Sequence, residues 1–301
     1  MRGAYSTSFT SDSDPRASLG RSAASLSPHL PIRGLVKRIG LLLLLGLALS
    51  ALIASSQAGV LPVGRLAAVA GILVAGAVSG ISGLAFPLIA GPIFLLIYPA
   101  PEAVALTAMC SLTGQLFSIA LLWQAISYQY RVPLIAAGLL GVPLGSALLC
   151  SVDSHALRVV FGGLIVASGL WRSLRIETAT TQKPSLLAEV VVGLTGGLTG
   201  GLVGASSVAP AIWCAASGLD KSHQRAITQP YILTMQAASL VSLCAWGAVD
   251  GAVVGQYANF VFAVLVGVGL GVAGFRGLSS STATRVIMGV VTASGLSLLF
   301  L

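Results

Sequence analysis

The sequence predicts an all-α fold: a polytopic transmembrane helical bundle of two inverted-topology repeats with interrupted or re-entrant helices. Three observations lead there. Of the 301 residues, 56% are hydrophobic and only 8% are charged, whereas a soluble domain carries about a quarter charged residues. The apolar residues gather into runs of helical length. The order of features in the first half recurs in the second.

The elements follow in order. Residues 1–34 form a polar, Ser-rich cytoplasmic tail: "STSFTSDSDPRASLGRSAASLS" has no apolar period and reads as disordered. Arg33, Lys37 and Arg38 lead into "LLLLLGLALSALIASS". This run, about 39–56, is either a retained first helix or a cleaved signal, because a basic patch precedes an apolar core followed by small residues. With its loop it occupies 35–64. Repeat 1 spans 65–173, with apolar runs near 65–82, 84–98, 102–126, 131–149 and 156–173. The polar stretch "RSLRIETATTQKPS" marks a cytoplasmic linker at 174–185. Repeat 2 spans 186–301, with runs near 186–204, 206–218, 223–247, 253–274 and 282–301. A spanning helix needs about 20 apolar residues. Four runs fall short alone (65–82, 84–98, 186–204 and 206–218), and they form two pairs interrupted by Gly, Ser or Pro.

The repeat rests on several matches in one order. "LRVVFGGLIVASGL" from 157 resembles "TRVIMGVVTASGL" from 284, and "GVPLGSALL" at 141 resembles "GVGLGVAGF" at 267. "EAVALT" falls opposite "HQRAIT", and "FP" at 86 opposite "AP" at 209. The offsets run from 121 to 127 residues. With the N-terminus in the cytoplasm, Arg131, Arg172, Arg175, Lys183, Lys221, Arg225, Arg276 and Arg285 all fall inside. Only Arg65 and Arg158 fall near the outer face, an asymmetry that fits the positive-inside rule. The first repeat then begins outside and the second inside. Inverted repeats with broken helices are an architecture of transporters, with the site near the midplane. The expected location is the cell (inner) membrane, multi-pass, with lipid as solvent.

Composition excludes other classes. The net charge of +8 does not argue for nucleic acid, since the basic residues sit at run ends. Cys110, Cys150, Cys214 and Cys244 form no CxxC, so no zinc site or disulfide framework is expected, and packing is the plain reading. No metal or cofactor is expected, and no ATP-binding motif occurs. No carboxylate lies well inside a run: Glu102, Asp153, Glu189 and Asp250 stand at run ends, against a proton relay of buried carboxylates. A homodimer is left open, with no residue arguing for it.

The candidate site lies at the breaks, "GAVSGISGLAFPLIAGP" at 76–92 and "GGLTGGLVGASSVAP" at 196–210. At Ser82–Gly83 and Ser206–Ser207 the chain can leave the helix. The following half-helix then offers free N–H groups and a positive dipole end to an anion. The glycines, Gly204 among them, recur with helical spacing and read chiefly as a packing face. Arg225 is either an interfacial anchor that snorkels or a charge that binds the anion. Thr107 and Thr228 match across repeats and either bond back to their own helices or line the path. Gln115, Gln229 and Gln236 are helix–helix hydrogen bonds or pathway residues. His155 and His223 read as helix-end histidines. A Ser206–His223 dyad would be the one route to an intramembrane enzyme, but "GASSV" lacks the glycine two places after the serine. A transporter is the reading taken, not an enzyme; a membrane scaffold or assembly subunit is the alternative.

At these residues the chain resembles the TauE/SafE family, the sulfite exporter and toluene sulfonate uptake permeases. Each repeat of that family opens with a Gly-rich "GxxGxGGG" segment, then Pro, a short helix and a helix start bearing "A-T". "GAVSGISGLAFPLIAGPIFLLIYPAPEAVALT" and "GGLTGGLVGASSVAPAIWCAASGLDKSHQRAIT" follow that layout, with "SGLAF" and "GASS" in place of the triple-Gly core. The resemblance covers about 65–301. It implies a permease for small sulfur-containing or organic anions, such as sulfite or sulfonates. Carried over by position, Ser82, Gly83, Pro87, Ser206, Ser207 and Pro210 would line the site, and Arg225 matches a basic or polar position before "A-T". With Thr107, Gly204, Thr228 and Gln229 they make up the expected substrate-binding set.

Overall fold

The apolar runs become helices within a few residues of their expected limits. In the computed structural model the described residues are 63–122, 129, 131–174, 185–219 and 221–275. All lie in one unit, Leu41–Leu301. Among them nine helices follow in order: α1 Val63–Ser82, α2 Phe86–Ile97, α3 Ala100–Leu122, α4 Val132–Ser151, α5 Ser154–Leu174, α6 Leu186–Val203, α7 Val208–Ala216, α8 Lys221–Ala245 and α9 Gly251–Phe275. The expected 1–34 tail, the helix at 39–56, the body of the 174–185 linker and the last helix at 282–301 lie outside the described residues, as does the match from 284.

The protein is an all-helical transmembrane bundle. Among the described residues four helices are long and apolar enough to cross a bilayer: α3, α4, α6 and α9. One expectation changes here, because 186–204 was read as too short. The 18 residues of α6 span about 27 Å at 1.5 Å per residue, close to the roughly 30 Å hydrocarbon core. Large apolar side chains that point away from the bundle match this setting. Leu140, Leu144 and Leu148 form an exposed stripe on α4, and Leu187, Val191 and Leu194 another on α6. In water such stripes would be a liability; against acyl chains they are solvated.

Glycine decides which helices meet. On α4 and α6, a Cβ at Gly193, Gly197 or Gly201 would run into the carbonyls of Leu134, Gly138 or Val142, and one at Gly145 into that of Leu198. On α1 and α9, a Cβ at Gly267 or Gly271 would strike the carbonyls of Leu73 or Ala77, and one at Gly80 would lie 2.5 Å from the Val268 carbonyl. Both pairs run parallel, since contacts advance in the same direction along each helix. Small residues let backbones approach, which drives helix association where lipid removes the usual hydrophobic force. The packing reading of these glycines holds. At the mouth of the α4–α6 pair, Arg131 and Glu189 form an ion pair with Nη1 and Oε1 2.6 Å apart, so Glu189 is buried but partnered.

The long helices α3 and α8 cross at the centre and run antiparallel, because Gln115 meets Gln229 while Ser118 meets Arg225. Pro230 sits inside α8 and has no N–H to give to Ala226. The backbone N–H of Gln129 supplies that bond instead, at 2.9 Å. Cys110 and Cys214 pack in the core as expected, whereas Cys150 and Cys244 are exposed; all four are free thiols.

Candidate functional site

Two helix ends converge in the core. α1 ends at Ser82 and α2 begins at Phe86; α6 ends at Val203 and α7 begins at Val208. Gly83 and Gly204 each take the left-handed conformation, with φ of +77° and +72°, which costs a residue bearing a Cβ about 1–2 kcal/mol. The second break therefore starts at Gly204, two residues before the expected Ser206–Ser207. The breaks touch: Ser207 Oγ donates to the Leu84 carbonyl at 3.0 Å.

The first break is closed by the protein itself. Ser82 Oγ accepts from the N–H groups of Leu84 and Ala85 at 3.3 and 3.2 Å, and the Gly83 N–H returns to Ser79. Two of the donors expected to face an anion there, the N–H groups of Leu84 and Ala85, are used. Ser82, the last residue of α1, thus ties down the turn, and Pro87, in the first turn of α2, stands where a helix has no partner for an N–H. Above this break lies Arg225, 2% exposed. The snorkelling alternative is thereby excluded. Its Nε donates to Gln229 Oε1 at 3.0 Å, Nη1 to the carbonyls of Gly80 at 3.2 Å and Ile81 at 3.5 Å, and Nη2 to Ser118 Oγ at 2.6 Å. Gln229 Nε2 donates on to Gln115 Oε1 at 3.1 Å, and Gln115 Nε2 to the Gly83 carbonyl at 2.8 Å. One network thus ties α8 and α3 to the end of α1.

The second break differs. Gln236 Nε2 donates to the Gly204 carbonyl at 3.0 Å, as Gln115 does to that of Gly83. Ser207 is the N-cap of α7, and its side chain makes no capping bond. Pro210 lies in the first turn. Ser206 is fully buried, and its hydroxyl has no hydrogen-bond partner. The first turn of a helix carries N–H groups without intrahelical partners, and at this break no N-cap side chain takes them up.

The family model for sulfite exporter TauE/SafE matches residues 67–298, which take in both breaks and every described helix but for the first four residues of α1. The chain belongs to the sulfite exporter TauE/SafE family. Membership makes it a multi-pass membrane transporter of sulfur anions, with a small anionic solute and lipid as its partners. No curated protein and no solved structure matches it.

In this TauE/SafE chain the expected residues divide. Ser82, Gly83, Gly204, Ser206, Ser207, Arg225 and Gln229 gather at or beside the breaks. Thr107 and Thr228 bond back to the carbonyls of Ala103 and Gln224 at 2.7 and 2.8 Å, the local alternative. His223 is exposed at the start of α8, and Ser206 Oγ bonds to nothing, so the two form no dyad. The expected set omitted Ser118 and Ser239. Both are buried polar residues on the crossing helices, and they share the 121-residue offset of Thr107 with Thr228 and of Gln115 with Gln236. A search at that offset would have found them.

Proposed function

We propose that this TauE/SafE transporter carries a small sulfur oxyanion, such as sulfite or a short sulfonate, bound where the second break meets the first. The observation that carries the reading is Ser206: a fully buried hydroxyl without a partner, beside the uncapped start of α7. A buried unpartnered hydroxyl is costly unless something occupies it. Here the neighbouring groups are N–H donors at a positive helix end, which suit an anion. Arg225 adds a cation next to Gly83, and Ser207 links the two breaks, so the anion would lie within the field of both. Substrate passage would proceed by alternating access at the interface of two inverted repeats. The antiparallel crossing of the equivalent helices α3 and α8 supports that inversion.

The test is uptake of radiolabelled sulfite and a panel of short sulfonates into proteoliposomes, in wild type and Ser206→Ala. Saturable uptake is expected, reduced about 10- to 100-fold by the loss of one hydroxyl donor to a charged solute. Because that hydroxyl bonds to nothing within the protein, the variant should unfold as the wild type does. Absence of flux for every anion at several imposed ion gradients would sink the assignment.

A further inference from the structure

The two breaks share a framework, and the difference in what fills it leaves side-chain oxygen acceptors unmet. Positions 121 residues apart do the same job: Gly83 and Gly204 turn the chain, Gln115 and Gln236 bond to their carbonyls, and Ser118 and Ser239 follow three residues later on the same helix face. In the first half, the guanidinium of Arg225 fills a nest of acceptors, made of the carbonyls of Gly80 and Ile81 and the hydroxyl of Ser118. Gln229 occupies the Oε1 of Gln115. The equivalents of Arg225 and Gln229 in the other half are Val104 and Ala108. Val104 stands where Arg225 would. A Cβ at Gly204 would lie 4.0 Å from Val104 Cγ1, and one at Gly83 would lie 3.1 to 3.4 Å from the Arg225 side chain. Valine reaches the place of the arginine stem but has no head group.

The consequence appears in the hydrogen bonds. Gln236 is 1% exposed and Ser239 is 0% exposed, and neither Gln236 Oε1 nor Ser239 Oγ has a partner. Their backbone companions are the carbonyls of Gly201 and Leu202, the counterparts of Gly80 and Ile81. Both belong to the last turn of α6, where carbonyls lack intrahelical donors. The N–H of Ala205, which a continuing helix would give to Gly201, goes to Thr199. By the 121-residue correspondence the second half thus repeats the acceptors of the first nest, two of them unpartnered buried side-chain oxygens, without the tethered cation.

We propose that this second nest binds a free alkali cation, Na+ in the first instance, in place of the guanidinium that fills the first. Hard cations take oxygen ligands, and a set without a carboxylate suits a single positive charge rather than a divalent ion. Helix C-terminal ends and unwound carbonyls coordinate such ions in broken-helix transporters. Coupling of this ion to solute movement rests on the anion-transport reading above; the binding itself does not, and it is tested with no sulfur anion present.

The experiment is thermal unfolding of the purified full chain in detergent, with NaCl, KCl or LiCl titrated against choline chloride at constant chloride. A saturable rise in Tm with one alkali ion and not with choline is expected. Ser239→Ala should weaken the apparent affinity about tenfold, the worth of one contact. Val104→Arg should restore the tethered cation, raise Tm in choline and abolish the response. Should that variant fail to fold, Ser239→Ala decides. A wild type that responds to no alkali ion more than to choline would mean water or nothing fills the nest and would overturn the proposal. So would a response that Ser239→Ala leaves unchanged. Either failure is independent of flux, and absence of flux would not affect the binding result.

Discussion

Replacing Arg225 by alanine removes the cross-link between the first break and the crossing helices, and its cost can be worked from the bonds lost. Among the described residues the guanidinium donates within good hydrogen-bond range to Ser118 at 2.6 Å, Gln229 at 3.0 Å and Gly80 at 3.2 Å; a longer contact, to Ile81 at 3.5 Å, counts for little. Side-chain hydrogen bonds between membrane helices contribute about 0.6 kcal/mol on average and at most about 1.7. Three of them give roughly 2 to 5 kcal/mol. Arg225→Ala should therefore lower stability by about that amount, measured by reversible unfolding in mixed SDS micelles. Arg225→Lys should recover only part, because a compact ammonium cannot reach Ser118 and Gly80 together as the planar fork does. In proteoliposomes both variants should lose sulfur-anion uptake, the alanine more than the lysine. An alanine variant within about 0.5 kcal/mol of wild type, the scatter of neutral substitutions, would refute the argument that this network holds the first break.

Three further outcomes follow from the same geometry. Gly197→Ala, whose Cβ would strike the Gly138 carbonyl, should force α4 and α6 apart and destabilise strongly, whereas Gly255→Ala, with nothing within 4 Å, should be neutral or gain up to about 1 kcal/mol of helix propensity; paired thermal melts compare them. Gly83→Ala and Gly204→Ala should each cost about 1–2 kcal/mol from the left-handed backbone and lower uptake together with stability, read by melts and flux on the same preparations. In choline chloride, without an alkali ion, Gln115→Leu should cost more than Gln236→Leu by about one hydrogen bond, roughly 1 kcal/mol. Gln115 is bonded at both ends, while Gln236 bonds only through Nε2; equal losses would contradict the asymmetry of the two halves.

Much of this architecture is local and was legible from the chain. Apolar run length placed the helices: 131–149 became Val132–Ser151 and 253–274 became Gly251–Phe275. Gly83 and the Pro87 and Pro210 signals located both breaks within two residues, because backbone preference acts over one turn. The family layout, with a glycine segment, a proline and "A-T" in each half, was likewise a short-range pattern.

What only tertiary structure decided depends on partners distant in sequence. Run length does not say that α1 lies on α9 and α4 on α6, since pairing follows from where bare glycine faces meet. Arg225 at the start of an apolar run fits both an interface and a core; its burial is determined by acceptors supplied by Gly80 and Ser118, more than 100 residues away. Thr107 and Thr228 turn their hydroxyls to their own helices, while the methyl group of Thr107 packs against Gly204 of the second break. Ser206 and Gln236 show their significance through bonds they do not make. Helix and break are consequences of neighbouring residues, but burial and unmet hydrogen bonding arise only when the second half of the chain closes on the first.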